Sequence, residues 1–458
     1  MSEIEYDLVV IGSGPAGEKA ALQAAYYGAK VCVIDYGPAG GTWVNTGTIP
    51  SKTLRESALF IAGGRRKGVD TRNSQTPTMR NFMALKRHLV TRWREKIEAN
   101  FRSKNVDRIR GKAHLTADHQ VAMEDGRVIA GKKIMIATGS KTRPTPDMKI
   151  DGVRVHNSDT LLNMETIPSS VAVLGGGVIA CEYAAMFQAL GIQVTLVNSR
   201  ERILGFIDPQ ATEFLERSFV QAGMVIRHNT RAESINNDKE NAEVEVYLND
   251  GTMVAAQTVL VALGRVPVLD GLGIENTDIK LTDWNSIEVD QHMRTSVPHI
   301  YAAGDVVGFP SLASAGMEQG RVAASHMFGP DSDATVSDLI PSGIFTIPEL
   351  SSVGMDEAAA KEAGYDPVAA HSDYSESVRA PMLGDEFGMV KLIADRSTKK
   401  LLGATIVGNQ ATELIHFAML MIRYEGKVDD LTHFVFNIPT LSLLYRQTAY
   451  KVLSKISA

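Results

Sequence analysis

The chain is poor in cysteine: it has two, Cys32 and Cys181, in 458 residues. Each lies in a segment whose apolar pattern predicts a buried strand or helix, so both are expected to be small core residues. Two such thiols cannot build a disulfide framework or a thiolate metal centre, and we predict no metal site. Low cysteine content and the lack of a secretory signal before the first apolar segment lead us to expect a cytoplasmic protein.

Long apolar runs and a basic charge balance are also missing. No run approaches the roughly 20 residues that cross a bilayer, so we expect no membrane insertion. The formal net charge of −6 argues against a nucleic-acid partner. Basic side chains do cluster on residues 82–104, but in an acidic protein they are best explained as the solvated face of a helix. With 44% apolar residues, the chain is long enough for about three domains.

One module is present twice. Residues 9–35 read VVIGSGPAGEKAALQAAYYGAKVCVID, and residues 172–198 read AVLGGGVIACEYAAMFQALGIQVTLVN. The copies align without a gap, which pairs the following positions: Gly12 with Gly175, Gly14 with Gly177, Gly17 with Ala180, and Asp35 with Asn198. Each copy is an apolar strand, a G-x-G-x-x-G/A turn, an amphipathic helix and a second apolar strand, which is the full context of a dinucleotide-binding fingerprint.

Each small residue of the turn has a physical role. The first glycine makes the tight turn, the second lets backbone approach a pyrophosphate, and the third small residue lets helix and strand pack closely. The helix N-terminus then offers free N–H groups and a positive dipole end to the phosphates. Two dinucleotides on one chain indicate electron transfer between them.

The two copies differ where the ribose is recognised. Asp35 ends the first copy and is suited to accept a hydrogen bond from a ribose 2′-OH. Asn198 ends the second, followed by Ser199, Arg200 and Arg202. A neutral amide near two arginines should tolerate both NAD and NADP, because position 198 carries no carboxylate to repel a 2′-phosphate. The alternative is that these arginines are simply solvated surface residues.

The rest of the chain alternates helical and strand-like patterns. Residues 50–62 predict a helix, 63–77 a polar loop, and 82–104 a long amphipathic helix. Its apolar face is predicted from side chains at steps of four: Leu85, Leu89, Trp93, Ile97 and Phe101. After Pro341, short strands alternate with helices without a nucleotide signature: strands at 343–346, 388–394 and 401–407, and helices at 355–363, 411–424 and 441–458.

Nearly end to end, the chain resembles the FAD-dependent pyridine nucleotide–disulfide oxidoreductases. Beyond the fingerprints, the resemblance rests on GGTWVNTGTIPSK at 40–52, Ala137-Thr138-Gly139, Gly264-Arg265, residues 301–305 and Pro439-Thr440. It implies an α/β fold of two doubly wound, glutathione reductase-like dinucleotide-binding domains plus a C-terminal α+β dimerisation domain. The division that it implies is an FAD-binding domain at 1–147 and 271–340, an NAD(P)-binding domain at 148–270, and an interface domain at 341–458 that forms a homodimer.

The resemblance also implies site residues. FAD would be bound by Gly12, Gly14, Pro15, Ala16, Gly17, Asp35, Tyr36, Gly41, Thr42, Ala113, Ala137, Thr138, Gly139, Gly304, Asp305, Leu312 and Ala313. The nicotinamide nucleotide would be bound by Gly175, Gly177, Val178, Ile179, Asn198, Ser199, Arg200 and Gly264. Lys52 would pair with Glu182 beside flavin N5, where a fixed cation tunes the charge of the ring.

The chain departs from the family where thiol chemistry occurs. Disulfide-reducing members carry two cysteines in GGTCLNVGCIPSK, where this chain has Trp43 and Thr48. Their His-Pro-Thr-x-x-Glu acid–base pair is replaced by Ile438-Pro439-Thr440-Leu441-Ser442-Leu443. Without a thiolate or a proton carrier, the family's route to disulfide reduction is excluded.

Hydride transfer between nicotinamide and flavin needs stacking and distance rather than acid–base residues. Within the family, the chain most resembles the soluble pyridine nucleotide transhydrogenases, with which it shares Thr48 and the run VTLVNSRERILGFID. It departs from them at Trp43 and Leu443, where they usually carry cysteine and glutamate. We therefore expect hydride exchange between NAD(H) and NADP(H). Two alternatives are an NAD(P)H dehydrogenase that reduces a quinone, dye or oxygen on the Trp43 side, and a flavin-bound sensor without turnover.

Overall fold

A computed structural model describes residues 4–66, 78–117, 119–238, 242–330 and 333–458. The chain divides into two compact units. The first unit comprises Met1–Leu54, Arg80–Pro144 and Arg265–Ser337, and the second Arg55–Met79, Thr145–Gly264 and Asp338–Ala458. Two helices run across this division in the sequence: Thr48–Arg66 and Met79–Ser103.

The first unit is built on a seven-stranded sheet. Its strands lie in the order Asp107–Arg110, Val31–Asp35, Ile4–Ile11, Val128–Ile136, Gln120–Met123 and Ala113–Ala117, and Ile300–Ala302 also pairs with Val128–Ile136. A separate antiparallel pair joins Ser140–Thr142 to Arg265–Pro267. The other helices of the unit are Pro15–Tyr26, Gly41–Asn45, Ala313–Phe328 and the short 3-10 turns Ile274–Asn276 and Asp305–Val307.

The central strand Ile4–Ile11 pairs in parallel with Val31–Asp35 on one side and Val128–Ile136 on the other. Helices cover both faces of such a sheet, so its strands read as nearly continuous apolar runs. Val9 and Val10 are fully buried in clusters on opposite faces. This parallel core brings the carboxyl ends of the strands to one edge, where doubly wound folds bind ligands.

The long helix Met79–Ser103 confirms the helix predicted at 82–104, but its predicted buried face is partly wrong. Ile97 and Phe101 are buried, whereas Leu85 is exposed. Steps of four overshoot the helical repeat of 3.6 residues, so a stripe built from them drifts around the helix. Lys86, assigned to the solvated basic face, is buried, and this burial together with Arg87 lowers its pKa.

The polar loop predicted at 63–77 is wrong over residues 63–66, which continue the helix Thr48–Arg66. Residues 67–77 lie outside the described part of the chain.

The second unit contains a five-stranded parallel sheet. Its strands lie in the order Val225–Arg227, Gln193–Val197, Ser170–Leu174, Thr258–Val261 and Val155–His156. An antiparallel meander of Ala232–Asn236, Val244–Leu248 and Met253–Ala256 accompanies it. The helices of this part are Val178–Ala189, Pro209–Gln221 and the 3-10 turn Thr160–Asn163.

The C-terminal part of the second unit is a five-stranded antiparallel sheet packed with helices. The strand order is Ser342–Ile344, Leu350–Gly354, Leu401–Val407, Met389–Asp395 and Pro367–Asp373. The helices are Glu357–Glu362, Arg379–Leu383, Ala411–Arg423, Val428–His433 and Leu443–Ser457, with the 3-10 turn Tyr374–Glu376. Leu392, Ile406, Ile415 and Leu444 meet in its core. The predicted fold class is confirmed.

A buried ion cluster joins the two parts of the second unit. Lys391 Nζ lies 2.7 Å from Asp208 Oδ2 and 2.7 Å from Glu357 Oε2. Burial lowers the pKa of Lys391, but the hydrogen bonds to the two carboxylates outweigh burial and leave this pKa raised. Asp208 also caps helix Pro209–Gln221, accepting from Ala211 N at 3.1 Å. This cluster therefore fixes the end of the loop that follows Asn198.

Among the described residues, no helix has both the length and the apolar character needed to cross a bilayer.

Candidate dinucleotide sites

The three glycines of the first turn differ in what surrounds them. Gly12 has φ +106°, and a Cβ there would lie 2.3 Å from Ala137 O. A Cβ on Gly17 would lie 2.0 Å from Gly12 O, so both positions need glycine for packing within the chain. A Cβ on Gly14 would meet no protein atom within 4 Å. Glycine at 14 is therefore not required by the protein itself, which fits close approach of a pyrophosphate.

The helix that follows points its N-terminus into this open space. Gly14 is the N-cap and Pro15 the first residue of Pro15–Tyr26, and no side chain caps the helix. Proline is suited to this place because its missing N–H would have no helical partner. The uncapped end carries a partial positive charge that favours a phosphate.

Asp35 lies at the carboxyl end of the neighbouring strand and is buried. Its Oδ2 accepts from Ser13 N at 2.9 Å and from the Ser13 hydroxyl, and its Oδ1 accepts from Gly37 N at 2.9 Å. Ser13 Oγ in turn accepts from Gly40 N at 3.1 Å. A carboxylate can accept about four hydrogen bonds, so capacity remains for a ribose hydroxyl.

The structure places Gly304 and Asp305 beside the start of the first fingerprint helix. A Cβ on Gly304 would lie 3.2 Å from Ala16 Cβ, and Gly304 N donates to the buried Gln319 Oε1 at 2.8 Å. The hydroxyl of Ser140 donates to Asp305 Oδ2 at 2.5 Å.

Ser140 itself is held by Arg265, whose Nε donates to Ser140 Oγ at 2.8 Å and whose Nη2 donates to Ser140 O at 2.7 Å. Arg265, Ser140 and Asp305 thus form one chain of contacts at the strand ends. Gln319, Ser140 and Arg265 were not among the predicted site residues.

Ala137, Thr138 and Gly139 lie beside the first turn. Ala137 N donates to Ile11 O at 2.8 Å and Thr138 Oγ1 donates to Val268 O at 2.8 Å. Gly139 has φ +69° and open space at its Cβ position. The helix Ala313–Phe328 follows its N-cap residue Leu312, whose side chain makes no capping hydrogen bond. This is a second helix N-terminus without a side-chain cap.

The same helix packs closely on the fingerprint: a Cβ on Gly320 would lie 2.2 Å from Ala16 O. Gly41 also belongs to this group, since a Cβ there would lie 2.9 Å from Gly14 Cα. Thr42 follows it in the helix Gly41–Asn45, Tyr36 is exposed, and Ala113 begins the strand Ala113–Ala117.

The second turn repeats the pattern of the first. Gly175 has φ +126°, and its Cβ would lie 2.4 Å from Ala262 O, whereas a Cβ on Gly177 would meet nothing within 4 Å. Gly177 is the N-cap of Val178–Ala189, again without a side-chain cap. Val178 and Ile179 form the first turn of this helix. Gly264, with φ +100°, follows the strand Thr258–Val261.

Asn198 directly follows the strand Gln193–Val197, at the position that corresponds to Asp35 in the first module, and is buried. Its Nδ2 donates to Arg200 O at 2.8 Å, and its Oδ1 accepts from Arg200 N at 3.3 Å. Ser199 and Arg200 are exposed. Arg202 Nη1 donates to Thr212 Oγ1 at 3.5 Å. Arg200 is thus the more exposed of the two arginines, and its contact with a 2′-phosphate stays a prediction.

Trp43 lies in the helix Gly41–Asn45 and is partly buried against the core of the first unit. Its ring packs edge to face on Trp93, with centroids 5.3 Å apart. The next residue of the long helix, Arg94, donates from Nε to Asn45 Oδ1 at 2.5 Å. The residue at the family's cysteine position is therefore part of an aromatic contact with the long helix.

Thr48 begins the helix Thr48–Arg66, and Lys52 lies in its second turn, partly exposed. Glu182, in the second unit, is buried in the helix Val178–Ala189, and its Oε1 accepts from Phe345 N at 2.9 Å. The ion pair between Lys52 and Glu182 stays a prediction.

Both cysteines are free and buried. Burial raises the pKa of Cys32 to about 12, and burial raises that of Cys181 further. The thiolate is the reactive form, so neither residue can serve as a nucleophile near neutral pH. Among the residues that the structure describes, no group of three or more His, Cys, Asp or Glu side chains is arranged to hold a metal ion.

Two family models match the chain. Residues 6–320 match the pyridine nucleotide-disulphide oxidoreductase model, and residues 340–448 match the dimerisation domain of the same family. The chain belongs to the pyridine nucleotide-disulphide oxidoreductase family. Membership makes it an FAD-dependent oxidoreductase that uses a nicotinamide nucleotide, although it lacks the family's redox-active cysteine pair.

Curated relatives cover the whole chain. A soluble pyridine nucleotide transhydrogenase of Mycobacterium bovis is 37% identical over 99% of this chain and 98% of its own length. A protein with the same name from Hahella chejuensis is 37% identical over the full length of both chains.

Solved structures agree with the fold. LpdA from Mycobacterium tuberculosis superposes with a TM-score of 0.88 at 29% identity, covering 98% of this chain and 99% of that one. The Cu(II) complex of the HOCl-induced flavoprotein disulfide reductase RclA from Escherichia coli gives 0.89 at 27% identity, covering 99% of this chain and 100% of that one.

The first site fits the FAD that the family implies. Its uncapped helix, the open Gly14 position and the spare acceptor capacity of Asp35 are the features that a dinucleotide needs.

Proposed function

We propose that the enzyme transfers hydride between NAD(H) and NADP(H) and performs no disulfide chemistry. The observation that carries this proposal is the state of the thiols: both are buried with raised pKa values, and Trp43 and Thr48 stand where the family's redox cysteines lie. The names of the relatives from Mycobacterium bovis and Hahella chejuensis support the same reaction.

The net reaction is NADPH + NAD⁺ to NADP⁺ + NADH, so one nucleotide is oxidised and the other reduced by two electrons and one proton. When bound, FAD would supply the hydride carrier between the two nicotinamides. Because the exchange needs no proton carrier, loss of the family's acid–base pair at 438–443 leaves this reaction intact.

The residues of the first site bind and orient FAD. The uncapped helix at Gly14 and Pro15 receives the pyrophosphate, Asp35 accepts from a ribose hydroxyl, and Asp305, held by Ser140, accepts from the ribityl region. Lys52 supplies a fixed positive charge at the ring. Glu182, fixed by Phe345, keeps its predicted role as a carboxylate partner.

Trp43 closes the family's former disulfide position with aromatic bulk, because its indole is held by Trp93. Thr48 fills the second cysteine position at the start of its helix with a side chain that has no redox chemistry.

The second site takes both NAD and NADP in this proposal. A carboxylate at position 198 would repel a 2′-phosphate, whereas the neutral Asn198 does not. Gly177 and the helix Val178–Ala189 receive the pyrophosphate, and Arg200 is free to contact the 2′-phosphate because its backbone alone is engaged by Asn198. Because both nucleotide pools occur in the cytoplasm, we place the reaction there.

We further propose the domain division inferred from the resemblance, with FAD bound by 1–147 and 271–340, the nicotinamide nucleotide by 148–270, and a homodimer formed through 341–458. The match to a dimerisation domain at 340–448 supports the last part. The C-terminal region also exposes several large apolar side chains that a partner would cover: Leu420, Tyr424, Phe434, Val435 and Ile438.

Val435→Asp is expected to convert the dimer to monomers, because this side chain is 97% exposed and a charge there would be buried unpaired in an interface. Sedimentation velocity at micromolar concentration measures the effect. Val153→Asp, at an exposed apolar residue of the nucleotide-binding part, is the matched control and should stay dimeric. A Val435→Asp protein that sediments like the control would remove residue 435 from the interface.

The reaction is tested by stopped-flow mixing of the purified flavoprotein. NADH and NADPH should each bleach the flavin absorbance, and thio-NAD⁺ should restore it within the turnover time. Rapid reoxidation by a quinone or oxygen with negligible transfer to thio-NAD⁺ would instead establish the dehydrogenase alternative. Slow bleaching without multiple turnovers would establish a sensor.

A further inference from the structure

A buried loop of the C-terminal sheet binds two side chains that come from distant parts of the sequence. Residues 345–349 connect the antiparallel strands Ser342–Ile344 and Leu350–Gly354. Connecting loops usually run over the surface, because buried backbone groups need hydrogen-bond partners. In this 345–349 loop, however, Thr346 is fully buried and Glu349 is nearly so.

Arg55 binds this loop through two contacts. Its Nε donates to Thr346 O at 3.1 Å, and its Nη2 donates to Glu349 Oε1 at 2.9 Å. Its Nη1 donates to Glu56 Oε1 at 2.6 Å. The side chains of Arg55 and Glu349 are only 8% and 11% exposed. All three guanidinium nitrogens are engaged, so the planar group is held in one orientation.

Glu349 is in turn held by the sheet. Its Oε2 accepts from Thr412 N at 3.1 Å and from Thr412 Oγ1 at 2.8 Å, and its backbone oxygen accepts from Gly408 N at 2.8 Å. A surface ion pair contributes little because two mobile side chains must be ordered to form it. The carboxylate that receives Arg55 is already ordered by these contacts, so the pair is a rigid anchor.

Glu182 binds the neighbouring residue of the same loop. Its Oε1 accepts from Phe345 N at 2.9 Å, and Glu182 is buried on the helix Val178–Ala189. The N–H of Phe345 and the C=O of Thr346 belong to consecutive residues, whose Cα atoms are about 3.8 Å apart. The loop therefore holds Glu182 and Arg55 at adjacent points of one short segment.

A fixed Arg55 also constrains Lys52, since both lie in the helix Thr48–Arg66. Residues three apart share one face of a helix and are separated by about 4.5 Å along its axis. Such a helix is stiff over a single turn because its backbone is hydrogen bonded throughout. The loop thus binds the carboxylate of the predicted Lys52–Glu182 pair directly, and it binds the lysine through a residue one turn away.

We propose that Arg55 is a positioning residue for hydride transfer, which holds Lys52 in register with Glu182 through the 345–349 loop. This inference rests on the proposed function in placing Lys52 at the flavin ring. Arg55 acts through Lys52 and needs no contact with the flavin or the nicotinamide. Charge that changes during the transfer is stabilised by groups already in place, and a displacement of about 1 Å can cost about a hundredfold in rate.

The test is single-turnover reduction of the bound FAD by NADH, followed by stopped-flow absorbance over a range of NADH concentrations. Arg55→Met should lower the limiting rate constant about tenfold, while the Kd for NADH changes less than about twofold. In a Lys52→Met background, Arg55→Met should cause no further loss, because the ammonium that it positions is gone. Losses that multiply in the double variant would overturn the proposal.

A second measurement does not depend on a rate. The reduction potential of the bound flavin should fall in both Arg55→Met and Lys52→Met, because a displaced or missing ammonium stabilises the negative charge of the reduced ring less. A potential that falls in Lys52→Met but stays at the wild-type value in Arg55→Met would overturn the proposal.

Loss of position is separated from loss of stability by a further variant. Arg55→Met leaves the Glu349 carboxylate buried without its cation, which lowers the melting temperature. Adding Glu349→Gln removes this charge and keeps an acceptor for Thr412. The Arg55→Met, Glu349→Gln protein should therefore recover melting temperature while flavin reduction stays about tenfold slow. Recovery of the rate together with the melting temperature would show a merely structural role and overturn the proposal.

Arg396→Met is the matched control. Arg396 also joins a carboxylate to a backbone carbonyl, with Nε 2.9 Å from Asp366 Oδ2 and Nη1 3.2 Å from Lys455 O, but its side chain is 45% exposed. It should reduce flavin at the wild-type rate, and a loss equal to that of Arg55→Met would overturn the proposal.

The outcomes also separate this inference from the proposed function. An unchanged rate in Lys52→Met would remove the role of Lys52 at the flavin and this inference with it. An unchanged rate in Arg55→Met beside a slow Lys52→Met would overturn this inference alone. Because only reduction of the flavin is measured, the result is independent of whether the enzyme passes hydride on to NAD⁺.

Discussion

Gly177→Ala is expected to yield a protein with its full content of FAD that binds NADH and NADPH at least about tenfold more weakly, a loss of about 1.4 kcal/mol. A Cβ at 177 meets no protein atom within 4 Å, so the fold accepts it. The added methyl would instead occupy the space that the pyrophosphate needs at the N-terminus of Val178–Ala189. Flavin content by absorbance and nucleotide binding by calorimetry measure the two effects separately.

Gly14→Ala is the matched variant in the first module. Its Cβ also enters open space, so the protein should fold, but it should be purified with little FAD. Gly12→Ala serves as the contrast, because its Cβ would collide with Ala137 O and its positive φ disfavours alanine. Gly12→Ala should therefore lower the free energy of unfolding as well as the affinity for FAD. If Gly177→Ala lost flavin while Gly14→Ala kept it, the assignment of the two nucleotides to the two modules would be reversed.

Lys391→Met is expected to lower the free energy of unfolding by about 3–5 kcal/mol, because it leaves the carboxylate of Asp208 buried without its cation. Lys391 and Asp208 are both nearly inaccessible, and their 2.7 Å contact holds the end of the loop that carries Arg200. Denaturant unfolding followed by circular dichroism measures the loss.

The matched control is Lys399→Met, which breaks a partly exposed contact of 3.0 Å with Asp429. It should cost no more than about 1 kcal/mol, as surface ion pairs do. Adding Asp208→Asn to Lys391→Met should recover part of the stability, since asparagine keeps the helix cap without a stranded charge. A loss in Lys391→Met equal to that of the control would show that the buried pair contributes little.

The sequence was most informative where function is set by local spacing. The two fingerprints, with Gly14 and Gly177 at their open positions, depend on residues a few positions apart, so they can be read before any tertiary contact is known. The helix 411–424 was predicted for the same reason, and the structure forms it at Ala411–Arg423.

Buried polar residues in strands could not be predicted from the apolar pattern of the sequence. The strand Leu350–Gly354 was not predicted, because two serines interrupt its apolar pattern, yet Ser351 is fully buried and donates to Ser342 O at 2.6 Å. Lys391 could not be recognised as a core residue either, since its burial depends on two residues that are distant in the sequence, Asp208 and Glu357. Such burial depends on partners that one sequence does not identify.

The long-range parts of the site were missed for a related reason. Ser140 can be recognised as a site residue only from the fold, which places it between Arg265 and Asp305. Arg55 carries no motif, and its partners Thr346 and Glu349 lie 291 and 294 residues away in the sequence. Residues that act through such contacts can be found from sequence only by knowing the tertiary fold first.

The most direct test of the central claim is the rate of transfer from NADPH to thio-NAD⁺ by the Cys32→Ala, Cys181→Ala double variant. Both side chains are small and buried, so alanine should preserve the fold. Our account predicts transfer within about twofold of the wild-type rate, a barrier change below about 0.4 kcal/mol, with no reduction of glutathione disulfide or lipoamide by either protein. Loss of transfer in the variant, or disulfide reduction by the wild type, would contradict it.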